Sequence, residues 1–106
     1  MSRARKIVKL HIEAKTELLD SVVFYRERAG EKWANLFKER VTEGLEAIAS
    51  DPERFPKVRG FPDVQKIQLK QFPFSLLYIN RTDIVWVVAV AHGSRKPGFW
   101  KDRLSA

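Results

Sequence analysis

The segment after the last long apolar run of the chain carries the residues best suited to chemistry. His92 is followed at short spacing by Arg95 and Lys96, and then by the aromatic residues Phe99 and Trp100. An imidazole can donate or accept a proton near neutral pH, and guanidinium and ammonium groups can hold an anion in place. This spacing indicates either a catalytic edge or a tail that anchors itself on the rest of the fold.

Two more basic residues belong to a predicted strand in the second half of the chain. Lys66 and Lys70 alternate with the apolar residues Ile67 and Leu69. Alternate side chains of a strand point to opposite faces of the sheet. If Ile67 and Leu69 contact the helices, Lys66, Gln68 and Lys70 are expected on the opposite, open face, although a one-residue slip in register would reverse this.

The composition limits the kinds of site that the chain can build. Its 106 residues include no cysteine and only two histidines, His11 and His92. A disulfide framework and a thiolate metal site are therefore excluded, and we expect neither a histidine-based metal site nor a cofactor. The length fits a single domain over residues 1–106.

The hydropathy pattern argues against export and against membrane insertion. No stretch approaches the roughly 18 consecutive apolar residues that a membrane span needs. Residues 1–10 are basic but lack the apolar segment of a secretory signal. We therefore predict a cytoplasmic protein without a membrane partner.

The formal net charge of +7 is unevenly distributed along the chain. Residues 1–12 hold four basic groups and no acid, and residues 64–106 hold seven basic groups and two acids, whereas residues 13–63 carry a net charge of −2. Such a field attracts polyanions or an acidic protein partner. Excess lysine and arginine also keep a small protein soluble, but solubility alone would not segregate the charge in this way.

The spacing of apolar residues predicts one strand followed by two helices. Residues 7–12 alternate in hydropathy and indicate a strand. A helical period begins at Glu13 and ends near Gly30, and a second begins near Glu31 and ends at Ser50, because the residue before a proline avoids the helical region. Gly44 interrupts the apolar stripe of the second helix and indicates that another segment approaches closely there.

The remainder of the chain reads as a loop and three strands. Residues 54–63 contain Pro56, Gly60 and Pro62 and predict an ordered loop. The predicted strands are 64–70, 74–79 and 84–91, the last of them apolar throughout as expected of a central strand. The predicted fold class is therefore α+β, in the order β-α-α-β-β-β, with a helical hairpin packed on one face of a small antiparallel sheet.

Several short motifs occur in a consistent order on these predicted elements. They are Tyr25, then Phe37 and Ile48, then Asp51-Pro52-x-x-Phe55-Pro56, Phe72-Pro73-Phe74-x-x-x-Tyr78 and the ending Ala91-His92-x-x-Arg95-x-Pro97-x-x-Trp100-x-x-Arg103. Together they resemble the ParE/RelE superfamily of toxins, whose members are often called plasmid stabilisation proteins. The resemblance covers nearly the whole chain.

The resemblance implies a toxin of a type II toxin–antitoxin system. It also implies a cognate antitoxin whose acidic, disordered C-terminal part folds onto the toxin in a toxin–antitoxin hetero-oligomer. Superfamily members resembling RelE cleave mRNA on the ribosome, with a basic residue just past the last strand and a tyrosine about six positions later. This chain has Gly93 and Phe99 at those places, which supply neither a charge nor a hydroxyl.

Two functions follow from this comparison of residues. The first is a ParE-like toxin that binds an essential target of the DNA gyrase kind without catalysis of its own. Its target or antitoxin would be contacted by Lys66, Lys70, Arg95, Lys96, Trp100 and Arg103. The alternative is a ribosome-dependent mRNA endoribonuclease, in which His92, Arg95, Lys66 and Lys70 would supply the acid, the base and the cations on the phosphate. A nucleic-acid-binding module without toxic activity rests on the charge alone.

Structural roles compete with each of these chemical roles. His92 is expected to cap a strand while Arg95 and Trp100 pack the tail against the sheet, with Trp100 either core or an exposed anchor for a partner. The remaining large aromatic residues of interest are expected to be core, the tyrosines each with one satisfied hydroxyl: Tyr25, Trp33, Tyr78 and Trp86.

Overall fold

The structure, a computed structural model, describes residues 5–105 as two helices packed against a five-stranded sheet. The elements in chain order are β1 (Ile7–Leu10), α1 (Ile12–Ala29), α2 (Glu31–Ser50), β2 (Lys57–Val58), β3 (Phe61–Gln68), β4 (Phe74–Asn80) and β5 (Ile84–His92), with a short 3-10 helix at Lys101–Arg103. The predicted α+β class is confirmed, and so is the order β-α-α-β-β-β apart from one additional short strand, β2. Neither α1 nor α2 is long and apolar enough to cross a membrane.

The sheet is mostly antiparallel, but its first strand, β1, is parallel to the strand beside it. The strand order is β1-β5-β4-β3-β2, and β1 pairs with β5 in parallel over Ile84–Val87. Both helices and three strands separate β1 from β5 in the chain, and parallel pairing needs a long connection rather than a tight turn. β5 is therefore central, as predicted, although the sheet is not purely antiparallel.

The predicted loop over residues 54–63 is only partly a loop. It contains β2 and the start of β3, which turn at Arg59-Gly60, where Gly60 has a φ of +84° that favours glycine. Pro56 precedes β2, and Pro62 lies in the first part of β3, before the residues that pair with β4, so neither proline interrupts that pairing. The hairpin adds a fifth strand that periodicity alone did not indicate.

The change from β1 to α1 occurs at His11, one residue earlier than predicted. The His11 backbone N–H donates to the carbonyl of Val87 at 2.8 Å, which continues the contact with β5. Its Nδ1 accepts a hydrogen bond from the Glu13 N–H at 3.0 Å and so caps the first turn of the helix. Histidine thus takes the place usually filled by Ser, Thr, Asp or Asn.

Gly44 allows the second helix to lie directly on the sheet, as its position predicted. A Cβ built there would lie 2.8 Å from Leu76 Cδ1 and 3.3 Å from Leu69 Cδ2. Both leucines are buried in the main core between the helices and the sheet, where Tyr25, Phe37, Phe72 and Phe74 also meet. Trp33 is not part of this core: it is 44% exposed at the start of α2, so that prediction was wrong.

A second apolar cluster lies on the opposite face of the sheet. It contains Val64, Leu77, Val88 and Ala89, and Trp86 packs half-buried against it. The predicted open face is therefore largely closed by apolar packing. Only its outer positions, such as Lys66, are exposed.

A buried hydrogen-bond network joins the loop after α2 to the sheet. The Tyr78 hydroxyl donates to the carbonyl of Pro52 at 2.6 Å, and Gln65 Nε2 donates to the carbonyls of Pro52 at 2.8 Å and Phe55 at 2.9 Å. Tyr78 is fully buried, as predicted for a core tyrosine with a satisfied hydroxyl. Desolvation, with a smaller contribution from Asp51, raises the pKa of Tyr78 far above its ordinary value of 10.0.

Tyr78→Phe is expected to reduce the free energy of unfolding by about 1–2 kcal/mol at neutral pH, because it removes a buried hydrogen bond. Above pH 10 the unfolded chain releases the phenolic proton while the native state keeps it, so the stability contributed by Tyr78 is present below pH 10 and falls as the pH rises. Urea unfolding at neutral and alkaline pH should therefore show that the free energy of unfolding falls less with rising pH in Tyr78→Phe than in the parent. Tyr25→Phe, at a half-buried tyrosine, is the control; an equal effect of both variants would contradict the assignment.

Candidate functional site

The tail, residues 93–105, folds back over the second face of the sheet. The Gly93 N–H donates to the carbonyl of Pro73 at 2.7 Å, which turns the chain at the end of β5. Trp100 is only 3% exposed and packs against Phe61 with 4.7 Å between ring centroids. Trp100 was predicted to be either a core residue or an exposed anchor for a partner, and in the structure it is a core residue.

Arg103 links this tail to α1 through hydrogen bonds to Glu17. Its Nη1 and Nη2 each donate to one carboxylate oxygen of Glu17 at 2.9 Å, and Nη1 also donates to the carbonyl of Val88 at 3.0 Å. The side chains of Arg103 and Glu17 are only 10% and 15% exposed. The hydrogen bonds that Arg103 donates to Glu17 raise the pKa of Arg103 further above its already high value.

Glu17 also accepts a backbone hydrogen bond from the unpaired edge of β5. β1 pairs with β5 only as far as Val87, and Glu17 Oε1 accepts the N–H of Val90 at 3.1 Å beyond that point. The sequence gives no local signal for this role of Glu17, because its partner Arg103 lies 86 residues away in the chain.

A groove of about 220 Å³, here called the tail groove, lies between the tail and the second face of the sheet. Three of the four candidate nuclease residues line it, namely Lys66, His92 and Arg95. Arg59 and Lys96 add two more cations, and none of the described residues that line the groove is acidic. Arg59 was not among the predicted site residues, because it belonged to the segment interpreted as a loop.

Lys70 is separated from this groove. β3 ends at Gln68, so the strand alternation that placed Lys66 and Lys70 together stops before Lys70, which lies in a turn whose Gln71 has a φ of +66°. Lys70 instead lines a groove on the helix side of the sheet with Arg40, among others. The prediction that Lys70 shares the face of Lys66 was therefore wrong.

His92 and Arg95 both have partners within the fold. His92 ends β5, its ring meets Phe74 edge to face, and its Nδ1 accepts the Ser94 N–H at 3.0 Å. The Arg95 guanidinium lies 3.8 Å from the centroid of the Phe99 ring, and its Nη1 lies 3.9 Å from a Glu17 oxygen. These contacts fit the predicted role of both residues in holding the tail.

The two positions singled out by the resemblance, Gly93 and Phe99, differ in their use: Phe99 packs against cations, whereas Gly93 serves no packing role. The guanidinium groups of Arg95 and Arg103 both lie over the Phe99 ring, at 3.8 Å and 5.2 Å from its centroid. A Cβ at Gly93 would have its nearest neighbour at 3.6 Å, so a larger residue would fit there. Among residues 5–105 no group of three His, Cys, Asp or Glu side chains is placed to hold a metal ion.

The chain is similar in fold to solved toxins. It matches a structure described as the chromosomal ParDE toxin–antitoxin system from P. aeruginosa with a TM-score of 0.74 and 14% identity, covering 85% of this chain and 98% of that chain. A mutant of the E. coli toxin RelE in the free state matches with a TM-score of 0.56 and 21% identity over 85% of each chain.

The same RelE mutant in complex with an antitoxin RelBc peptide matches with a TM-score of 0.50 and 20% identity, covering 93% and 94% of the two chains. No curated protein sequence matches the chain. A family model for the ParE toxin of the type II toxin–antitoxin system parDE, however, matches residues 8–97. The chain therefore belongs to the ParE toxin family of type II toxin–antitoxin systems.

Proposed function

We propose that this toxin stops growth by binding an essential target, with DNA gyrase as the first candidate, and that it carries out no catalysis of its own. The observation that carries the proposal is the use of Gly93 and Phe99. Where a nucleolytic relative would place a charge and a hydroxyl, this chain has no side chain and a ring packed against the guanidinium groups of Arg95 and Arg103.

The tail groove also contains few side chains that could act as a general acid or a general base. Cleavage of RNA through its 2′-OH needs one group to remove a proton and another to protonate the leaving oxygen. The described lining contains one imidazole, no carboxylate and no tyrosine. The Nδ1 atom of that imidazole is already engaged by Ser94, and Arg95 is held by Phe99 and Glu17.

The antitoxin partner is proposed to be an acidic protein segment that covers the helical hairpin. Leu19, Val23 and Phe24 on α1 are each about half exposed, and Trp33 on α2 adds to this apolar surface. An amphipathic segment that folds on binding would bury these side chains. Its acidic residues would be attracted by the strands and the tail beside the hairpin, since residues 64–106 hold seven basic groups and two acids. Both partners would meet in the cytoplasm.

Two assays with the purified chain test the proposal. We expect inhibition of DNA supercoiling by gyrase, relieved by the antitoxin, and no cuts in mRNA during translation in vitro. Inhibition of supercoiling should survive His92→Ala, because His92 has no catalytic task in this proposal. Codon-site mRNA cuts on ribosomes, lost in His92→Ala, would overturn it.

The second candidate function is a ribosome-dependent mRNA endoribonuclease. One observation favours it: Lys66, His92 and Arg95 line the same groove. Under this alternative, Lys66→Ala and Arg95→Ala would each remove cleavage without unfolding the protein, whereas Lys70→Ala would have no effect because Lys70 lies elsewhere.

A further inference from the structure

Three of the four Arg and Lys side chains that line the tail groove lack a partner among residues 5–105, unlike the arginines whose charges are neutralised elsewhere in the fold. Arg5, Arg26, Arg40 and Arg103 each form an ion pair with a carboxylate. The side chains of Arg59, Lys66 and Lys96 are exposed and form no hydrogen bond or ion pair within residues 5–105. Their charge is therefore available to a ligand.

The cations of the tail groove come from both of its walls. Arg59 belongs to the β2–β3 turn and Lys66 to β3, whereas Arg95 and Lys96 belong to the tail on the other side. An anionic chain lying in the groove would have positive charge on both sides and no carboxylate among the described lining to repel it.

The shape of the groove favours a phosphate backbone over an acidic peptide. An extended peptide binds most readily by adding to a free strand edge, but the groove lies over a sheet face, and β3 is already paired on both sides, with β2 and β4. A volume of about 220 Å³ is too small for a helix about 10 Å across. Phosphates need only cations and hydrogen-bond donors.

The same geometry argues against recognition of individual bases by the tail groove. Trp100 is buried against Phe61, and the half-buried Phe99 ring is contacted by the guanidinium groups of Arg95 and Arg103, so the two rings offer little surface on which a base could stack. Contacts would be confined to the backbone and would not depend on nucleotide sequence.

We propose that the tail groove binds the phosphodiester backbone of a nucleic acid, through Arg59, Lys66, Arg95 and Lys96. This goes beyond the proposed function, since a groove for phosphates serves a toxin whose target works on DNA and equally one that acts on RNA. His92 can add a donor: its Nδ1 accepts from Ser94, which leaves the proton of the neutral ring on Nε2.

Fluorescence anisotropy of the full chain with three labelled probes tests the proposal. The probes are a DNA duplex of about 20 base pairs, a single-stranded RNA of the same length and a Glu-rich peptide of similar charge, each at about 50 and 200 mM salt. Lys66→Gln with Lys96→Gln removes two charges from the groove. Lys32→Gln with Lys38→Gln removes two exposed charges from α2 and is the matched control.

The groove variant is expected to bind the preferred nucleic acid at least about tenfold more weakly at low salt. The slope of the logarithm of its binding constant against the logarithm of salt concentration should be shallower by about 2, whereas the control should change affinity less than about threefold. Preference between duplex DNA and RNA identifies the source of the phosphates, and either supports the proposal. Equal losses in both variants, tighter binding of the peptide, or no binding at low salt would each overturn it. Neither gyrase nor ribosomes are present, so the outcome is independent of the supercoiling and translation assays.

Discussion

Replacing Gly44 with valine is expected to lower the free energy of unfolding by about 3 kcal/mol, the upper end of the usual cost of overpacking. The Cβ alone would stand 2.8 Å from Leu76 Cδ1, and Leu76 is fully buried beneath α2. The two γ-methyl groups would force the helix away from the sheet. Urea unfolding followed by circular dichroism measures the loss as a lower midpoint with an unchanged slope.

Two control variants separate overpacking from helix propensity. Thr42→Val places the same β-branched residue at an exposed position on α2 and should change stability by less than about 0.5 kcal/mol. Gly44→Ala should fall between the two, since a gain of up to about 1 kcal/mol in helix propensity opposes the contact with Leu76. A Gly44→Val protein as stable as the parent would show that α2 does not rest on Leu76 in solution.

Arg103→Ala is expected to lower the free energy of unfolding by about 3 kcal/mol and to loosen the tail. The substitution leaves the Glu17 carboxylate, only 15% exposed, without its bidentate partner and leaves the Val88 carbonyl without its donor. Limited proteolysis should cut residues 93–105 faster in the variant. Chemical denaturation gives the size of the loss.

The neighbouring cation Lys101 provides the control for this variant. Lys101 is exposed, so Lys101→Ala should be close to neutral although it removes the same charge. Arg103→Lys should recover only part of the stability, because an ammonium group cannot bind both carboxylate oxygens in the planar geometry of a guanidinium group. Equal protection of the tail in all three variants would contradict the role assigned to Arg103.

The elements that periodicity predicted best are those with strong local signals. The apolar spacing of α2 extends over almost its whole length and its end was marked by Pro52, and the φ of +97° at Gly30 explains why the two helices meet there. The close approach at Gly44 was also predictable, since a glycine inside a strong helical pattern needs a packing reason.

The details that were missed depend on contacts between distant parts of the chain. The direction of β1 is decided by its pairing with β5, and the function of Glu17 by Arg103. Lys70 was misplaced because alternation was extended past the real end of β3. Trp33 was assigned to the core by helical spacing, but it stands in the first turn of α2, where the sheet no longer covers it.

The pairing of β1 with β5 and of Glu17 with Arg103 also sets the order in which the fold can be completed during synthesis. The helical hairpin leaves the ribosome first, but β1 has no strand to join until residues 84–87 are made, and Glu17 has no partner until Arg103 follows. Contacts between such distant residues form late. Since the tail forms one wall of the tail groove, a nascent chain does not yet present that groove, and the surface assigned to phosphate binding arises only as translation of the tail is finished.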